Sequence, residues 1–270
     1  MFDKIIGFIG AGNMGSAMIG GILNASLVTT SQVIASAASP ATLERIRTRF
    51  SIETTPANET VAERSDILIL AVKPQKLEEI IPKIAPRIKH GCIVVSIAAG
   101  KTLASVEALF GRSIKLVRAM PNTPALVGEA MSALCANDAV TKADMAQIQA
   151  VFNSFGKSEL VPEHLIDAVV GVSGSSPAYV YLFIEAMADA AVAEGMPRAQ
   201  AYKFAAQSVY GAAKMVLETG EHPGVLKDAV CSPGGTTIEA VAALEKGGLR
   251  NAVICAQRAC TEKSRAMSEA

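Results

Sequence analysis

Lys4-Ile5-Ile6-Gly7-Phe8-Ile9 is a short apolar run rich in β-branched residues, and Gly10-Ala11-Gly12-Asn13-Met14-Gly15 follows it directly, ahead of a helix-like stretch from Ser16 to Leu27. A lone G-x-G-x-x-G is common by chance, but between a strand and a helix it marks a backbone shaped to cradle a dinucleotide. Gly10 permits the tight turn, Gly12 lets the backbone close on a pyrophosphate, and Gly15 lets the helix pack against the strand. Unpaired amides at the helix start then face the phosphates. The competing reading is that the glycines serve only the turn.

Apolar runs recur at Val33-Ile34-Ala35, residues 67–72, residues 92–97 and Lys115-Leu116-Val117, each separated from the next by a helical pattern. Continuous apolar strands alternating with helices predict a parallel sheet covered on both faces, the doubly wound α/β arrangement of a Rossmann domain. Beyond about residue 162 strand-like runs stop, and alanine-rich stretches cover residues 177–194, 198–218, 236–246 and 249 onward. Two domains are therefore expected: a dinucleotide-binding domain over 1–162 and an all-helical dimerisation and substrate-binding domain over 163–270. Small side chains such as Ala186, Ala188, Ala190, Ala191, Ala193, Ala205, Ala206, Ala212 and Ala213 fill little volume unless helices approach closely. Close approach favours helices intertwined from two subunits. The alternative is that alanine is simply the best helix former.

Lysine plus arginine number 25 and aspartate plus glutamate 25, so no net field draws the chain to nucleic acid or an anionic membrane. A small molecule is the expected partner. The five cysteines form no C-x-x-C and read as reduced thiols of a cytoplasmic protein. The three histidines lack ligand spacing, and no metal is expected. Residues 5–43 carry no charge at all, yet Asn13, Ser16, Asn24 and Thr29-Thr30-Ser31-Gln32 interrupt them, and Asp3 and Lys4 cancel ahead of them. Neither a membrane span nor a secretory leader fits.

An NAD site normally places Asp or Glu ~20 residues beyond the glycines to hold the ribose 2′-hydroxyl. Ser36 stands there instead, followed by the uncharged Ala37-Ala38-Ser39-Pro40, with Arg45, Arg47 and Arg49 on the next helix. A 2′-phosphate meets no repulsion, which favours NADPH, with NADH possible; a solvated helix face is the plainer reading of the arginines. Ala71-Val72-Lys73-Pro74 and Ser96-Ile97-Ala98-Ala99-Gly100 end apolar strands, at the sheet edge where ligands bind. Met120-Pro121-Asn122-Thr123-Pro124 ends another and reads as rim or as plain rigid loop.

In the helical half, Cys231-Ser232-Pro233-Gly234-Gly235-Thr236-Thr237-Ile238-Glu239 gives Thr236 and Glu239 capping-box spacing behind a glycine pair. Exposed amides there make an anion site for a small carboxylate, or an ordinary capped helix start. Val172-Ser173-Gly174-Ser175-Ser176-Pro177 enters another helix, as hinge or pocket wall. His222-Pro223-Gly224 looks like a third helix start, His222 being a surface or interface residue rather than a base. Oxidising a hydroxyl usually needs a general base, and no lysine lies between Lys157 and Lys203. Reducing a protonated imine needs mainly alignment and a hydrogen bond to nitrogen.

Taken together, Ile9–Gly15, Ala71–Pro74, Arg118–Pro124, Gly174-Ser175-Ser176-Pro177-Ala178-Tyr179, His222-Pro223-Gly224 and Ser232–Thr237 make the chain resemble the pyrroline-5-carboxylate reductases along its whole length. The resemblance implies reduction of Δ1-pyrroline-5-carboxylate to L-proline by NAD(P)H, with each active site formed between one subunit's nucleotide domain and its partner's helices, in dimers that often assemble into decamers. It also implies cofactor contacts from Ile9, Gly10, Ala11, Gly12, Asn13, Met14, Ser39, Asn58, Ala71, Val72, Lys73, Pro74 and Ala98, beside Gly15 and Ser36 from the spacing above. The substrate carboxylate is expected on Gly235, Thr236 and Thr237, with Ser232, Gly234 and Ser175 as further substrate-binding residues and Glu163 and Ala229 near the pocket. A threonine hydroxyl, Thr236 ahead of Thr237, is expected to meet the ring nitrogen. A β-hydroxyacid dehydrogenase of the same architecture, or a non-catalytic NADPH-sensing dimerisation module, are the other readings.

Overall fold

The structure is a computed structural model and describes residues 2–269. It divides into two compact units, one of residues 1–175 with 260–270, the other of residues 176–259.

The first unit is built on an eight-stranded sheet in the order β3-β2-β1-β4-β5-β6-β7-β8. The strands are β1 (Ile6–Ile9), β2 (Val33–Ser36), β3 (Glu53–Thr55), β4 (Ile67–Leu70), β5 (Ile93–Ser96), β6 (Lys115–Met120), β7 (Ala130–Ala136) and β8 (Gly156–Leu160). Helices α1 (Asn13–Asn24), α2 (Pro40–Phe50), α3 (Asn58–Arg64), α4 (Leu77–Ile84), α5 (Leu103–Phe110) and α6 (Lys142–Asn153) alternate with them.

β1, β2, β4 and β5 are buried at every position. Successive side chains leave opposite faces, so Ile67 and Ile69 join one core with Met18, Ile22, Ile148 and Phe152, while Leu68 and Leu70 join a second with Val61, Ile81, Val106 and Phe110. Both faces are covered by helices, which is why these strands read as unbroken apolar runs.

The sheet departs from the all-parallel expectation at one place: β7 runs antiparallel to β6, with Arg118 opposite Cys135. Parallel neighbours need a crossover of about a dozen residues or more. Residues 121–129 hold only the short 3-10 turn Thr123–Val127, so the chain reverses instead. β8 then returns parallel to β7 after α6. The first helix also starts earlier than expected, at Asn13, because the glycine loop itself forms its opening turn.

Beyond the sheet come α7 (Ile166–Val169), a π-helical segment Val170–Gly174, α8 (Ser176–Ala193), α9 (Arg198–Thr219), α10 (Pro223–Val230), α11 (Thr236–Lys246) and α12 (Leu249–Glu269). Ile166 belongs to the second core of the sheet, so the contact boundary falls after Ser175. The last turns of α12 also belong to the first unit: Ser264 donates to Asp167 at 2.6 Å, and Met267 lies against Gly100.

In the second unit Ala188, Ala201 and Ala205 are the buried residues of α8 and α9, small side chains at the helix seam. Large apolar side chains point outward: Leu182 is 67% exposed, Phe204 67% and Leu217 83%. Within the helical run Glu163–Ala193, an 18-residue stretch of mean hydropathy 1.2 is long and apolar enough to cross a membrane, and only 11% of that stretch is buried in the single chain. Large apolar side chains exposed in this number on two helices mark an interaction surface.

Candidate active site

Strand register sets Ser36, Ile9, Leu70, Ser96 and Arg118 in one row across the carboxyl edge of the sheet. The chain leaves β1 for β2 and β3, then returns to β4 on the other side of β1. Such a reversal opens a crevice above the strand ends, where ligands of open α/β sheets sit.

The glycine loop closes that crevice. Gly10 has φ +98°, donates its N–H to Ser36 O at 3.0 Å, and lies so close to the next strand end that a Cβ would stand 2.5 Å from Ala71 O. At Gly15 a Cβ would meet Gly10 O at 2.4 Å. Gly12 is different. Its φ is −70°, which any residue adopts, and a Cβ there would meet nothing within 4 Å. Neither backbone nor packing requires glycine at this position, so the space it leaves suits a group from outside the chain. Gly12 is also the N-cap of α1, with no side-chain cap and no acidic residue in the first turn. The loop and its free N–H groups therefore fit a diphosphate.

On the β2 side the Ser36 side chain is fully buried, and its hydroxyl donates to Asn58 Oδ1 at 2.7 Å. This holds the Asn58 amide at the start of α3. Ser39 is the exposed N-cap of α2 and makes no side-chain cap bond. Arg45, from the same helix, reaches back to donate to Ala11 O at 3.3 Å. On the β4 side Ala71 donates to Ile9 O at 2.8 Å, Val72 flanks Gly10, and Lys73 is exposed ahead of the short turn Pro74–Lys76. Ala98 is buried beyond β5. The structure thus brings Ile9–Gly15, Ser36, Asn58, Ala71–Pro74 and Ala98 to one edge.

Further along that edge, the buried Arg118 pairs with Glu163 at 3.0 Å, and the same carboxylate oxygen accepts the Leu103 N–H at 2.7 Å. Glu163 thereby ties β6 to the start of α5. Cys135 lies opposite Arg118 across the strand pair, and burial, aided by the Glu163 charge, pushes its thiol up to about 11. Burial pushes Cys92 up to about 12. Neither is a thiolate at neutral pH.

Asn122 stands in the loop after β6, for which the sequence predicts a rim or a plain rigid loop. Its amide donates to Ser173 O and its Oδ1 accepts the Met131 N–H, both at 3.0 Å. It sews the loop after β6 to β7 and to the π-helical segment that delivers Ser175. The signal was a polar side chain between two prolines in a loop following a buried strand. Cys260 stands 3.2 Å from Ser175 Oγ.

In the second unit, Pro223 occupies the first position of α10, and His222 Nδ1 accepts the Gly224 N–H at 3.0 Å as its cap. α10 carries the exposed Ala229 and ends at Cys231. Ser232-Pro233-Gly234-Gly235 then forms a turn closed by Gly235 N–H to Ser232 O at 3.0 Å, with Gly234 at φ +67°. Proline second and a positive-φ glycine third are the demands of a type II turn.

The capping box expected between Thr236 and Glu239 is not formed. Gly235 is the N-cap, extended at φ −82° and ψ 169°, so Thr236 is already helical and no side chain caps α11. Its first N–H groups stay open beside the Thr236 and Thr237 hydroxyls, a stronger anion site than a capped helix would offer. Among the described residues no group of three His, Cys, Asp or Glu side chains converges on a metal position.

Residues 163–267 match the family described as pyrroline-5-carboxylate reductase dimerisation, and residues 5–100 match NADP oxidoreductase coenzyme F420-dependent. The pyrroline-5-carboxylate reductase of Escherichia coli (strain K12) is 52% identical over 99% of both chains. That of Methanosarcina acetivorans is 43% identical over 100% of both. The crystal structure of Plasmodium falciparum pyrroline carboxylate reductase with NADP bound superposes with a TM-score of 0.89 at 34% identity, covering 99% of each chain. With likeness that strong running through both units, the chain belongs to the pyrroline-5-carboxylate reductase family.

Proposed function

We propose, as our reading of this site, that the chain reduces Δ1-pyrroline-5-carboxylate to L-proline, the closing step of proline synthesis. The observation that carries it is one chain holding both an open glycine loop with space at Gly12 and an uncapped, glycine-gated start to α11, in a family named for this reaction. NADPH, when bound, supplies the hydride.

The chain's own residues bind and orient. Ile9–Gly15 offer amides to the diphosphate, with Ser36, Ser39 and Asn58 on the adenosine side and Ala71–Pro74 and Ala98 toward the nicotinamide. Amides at Thr236 and Thr237 hold the substrate carboxylate against Gly235, whose own N–H closes the turn onto Ser232, with Ser232, Gly234, Ser175, Glu163 and Ala229 as further substrate-binding residues. The substrate arrives with its ring nitrogen protonated, so the C=N carbon accepts the hydride, the π pair becomes the amine lone pair, and no side chain need transfer a proton. A Thr236 hydroxyl hydrogen-bonded to that nitrogen orients the bond, with Thr237 beside it.

The chain self-associates through its helical domain, and the exposed apolar faces of α8 and α9 are what a partner subunit covers. A decamer formed by five such dimers is the assembly we propose, and the cytoplasm its location, the location supported by five free cysteines.

NADPH oxidation measured with and without added pyrroline-5-carboxylate tests the reading. Consumption that depends on the imine is expected. Tight NADPH binding without turnover would favour a sensor module, and turnover of a β-hydroxy acid instead would favour a dehydrogenase.

A further inference from the structure

Three arginines lie on α2, and the structure gives them different surroundings. Arg47 is paired with Glu44 on the same helix face. Arg49 stands 4.9 Å from the ring of Phe50. Arg45 alone turns toward the crevice, where its Nη2 donates to Ala11 O, the second residue of the glycine loop, at 3.3 Å. That carbonyl also accepts the Ser16 hydroxyl at 3.1 Å, so the anchor is fixed from α1 as well. No carboxylate neutralises Arg45 among the described residues, and the rest of its guanidinium fork is left with unmatched donors.

Two neighbours define what that fork can meet. Ser36 holds the position where a carboxylate would grip a ribose 2′-hydroxyl, but it is fully buried and committed to Asn58. Ala37 and Ala38 follow with no charge. Beside this uncharged Ser36-Ala37-Ala38 stretch, Arg45 is a cation anchored by its own hydrogen bond. A planar fork held in place is suited to a phosphate rather than to a hydroxyl.

We propose that Arg45 is the residue that reads the 2′-phosphate of the cofactor and so sets preference for NADPH over NADH. The proposal rests on the NADPH reading above and deepens it. Arg47 and Arg49, though on the same helix, take no part.

The test is equilibrium binding, followed by nicotinamide fluorescence, of NADPH and NADH to wild type, Arg45→Ala, Arg45→Lys and Arg47→Ala. Displacement of bound NADPH by 2′,5′-ADP and by 5′-ADP is read alongside. Loss of a charge-assisted phosphate contact weakens binding roughly 10- to 100-fold. Arg45→Ala is expected to lose that much affinity for NADPH and for 2′,5′-ADP while NADH and 5′-ADP stay within about twofold. Arg45→Lys falls between, and Arg47→Ala behaves as wild type. Equal losses for NADPH and NADH, or no loss for either, overturn the role of Arg45 while leaving the NADPH reading intact. Wild-type protein that binds neither nucleotide overturns both.

Discussion

The three glycines of the nucleotide loop should fail in different ways when each is replaced by alanine, because the structure gives each a different reason to be glycine. Gly12→Ala places its Cβ in open space at an ordinary φ of −70°. Alanine is a poorer N-cap by about 0.5–1 kcal/mol, and the restricted unfolded chain offsets about 0.4–1 kcal/mol of that. The melting temperature should stay within about 2 °C of wild type. NADPH affinity should fall at least ~10-fold, or about 1.4 kcal/mol, because the methyl group stands where the diphosphate must approach. Gly10→Ala carries a positive-φ penalty of roughly 1–2 kcal/mol and an overpacking penalty of roughly 1–3 kcal/mol. The second follows from the 2.5 Å separation from Ala71 O. At about 2–4 °C per kcal/mol, its melting temperature should drop by about 10 °C. Gly15→Ala, with its Cβ 2.4 Å from Gly10 O but an ordinary helical φ, carries the overpacking penalty alone and should melt between the other two. Thermal melts by circular dichroism give the first quantity. NADPH fluorescence gives the second, and the absence of tryptophan from the chain simplifies the optics. Wild-type NADPH affinity in Gly12→Ala, or equal destabilisation of Gly12→Ala and Gly10→Ala, would refute the assignment of that space to a ligand.

Other outcomes follow from the same geometry. Thr236→Ala should lower kcat by ~10-fold or more with NADPH affinity near normal, as expected for a hydrogen bond that matters most in the transition state; an unchanged kcat would move the role to Thr237 or to the backbone. Glu163→Ala leaves Arg118, 5% exposed, and the Leu103 N–H without their acceptor. Since the Glu163 side chain is 33% exposed, urea denaturation should report a discounted loss of about 2 kcal/mol, smaller for Glu163→Gln. For Asp144, burial alone would raise the pKa, but hydrogen bonds from Lys115 and Thr141 outweigh it and hold the carboxyl below its ordinary value. A lowered folded-state pKa stabilises above the unfolded value near ~3.9, and that stabilisation is lost as pH falls through the folded value. Asp144→Asn should remove this part of the acid sensitivity, seen as a flatter plot of unfolding midpoint against pH below about 4.

What the sequence made legible tracks how local the physics is. The glycine loop and the four fully buried strands could be read because glycine spacing and unbroken apolar runs are properties of a few adjacent residues. α11 appeared at its observed bounds for the same reason. β8, Gly-Lys-Ser-Glu-Leu, could not be read, since it is largely exposed and becomes a strand only by pairing with β7. The reversal at β7 depends on a connection too short to cross over, which no periodicity reports. Capping-box spacing at Thr236 misled because spacing does not say which residue stays extended; Gly235 does. Arg45 and Asn122 act through partners distant in sequence, Ala11 and Ser173, and only tertiary structure brings these together.

Because the closing turns of α12 belong with residues 1–175, the stretch 176–259 is topologically an insert inside the nucleotide unit. During synthesis the sheet and its glycine loop are complete long before Ser264 can reach Asp167 or Met267 can reach Gly100. The loop beyond β5 therefore gains its last support only after every helix of the other unit has left the ribosome. Two contacts that support the nucleotide unit thus form after its insert has been made, which couples the two in time as well as in sequence.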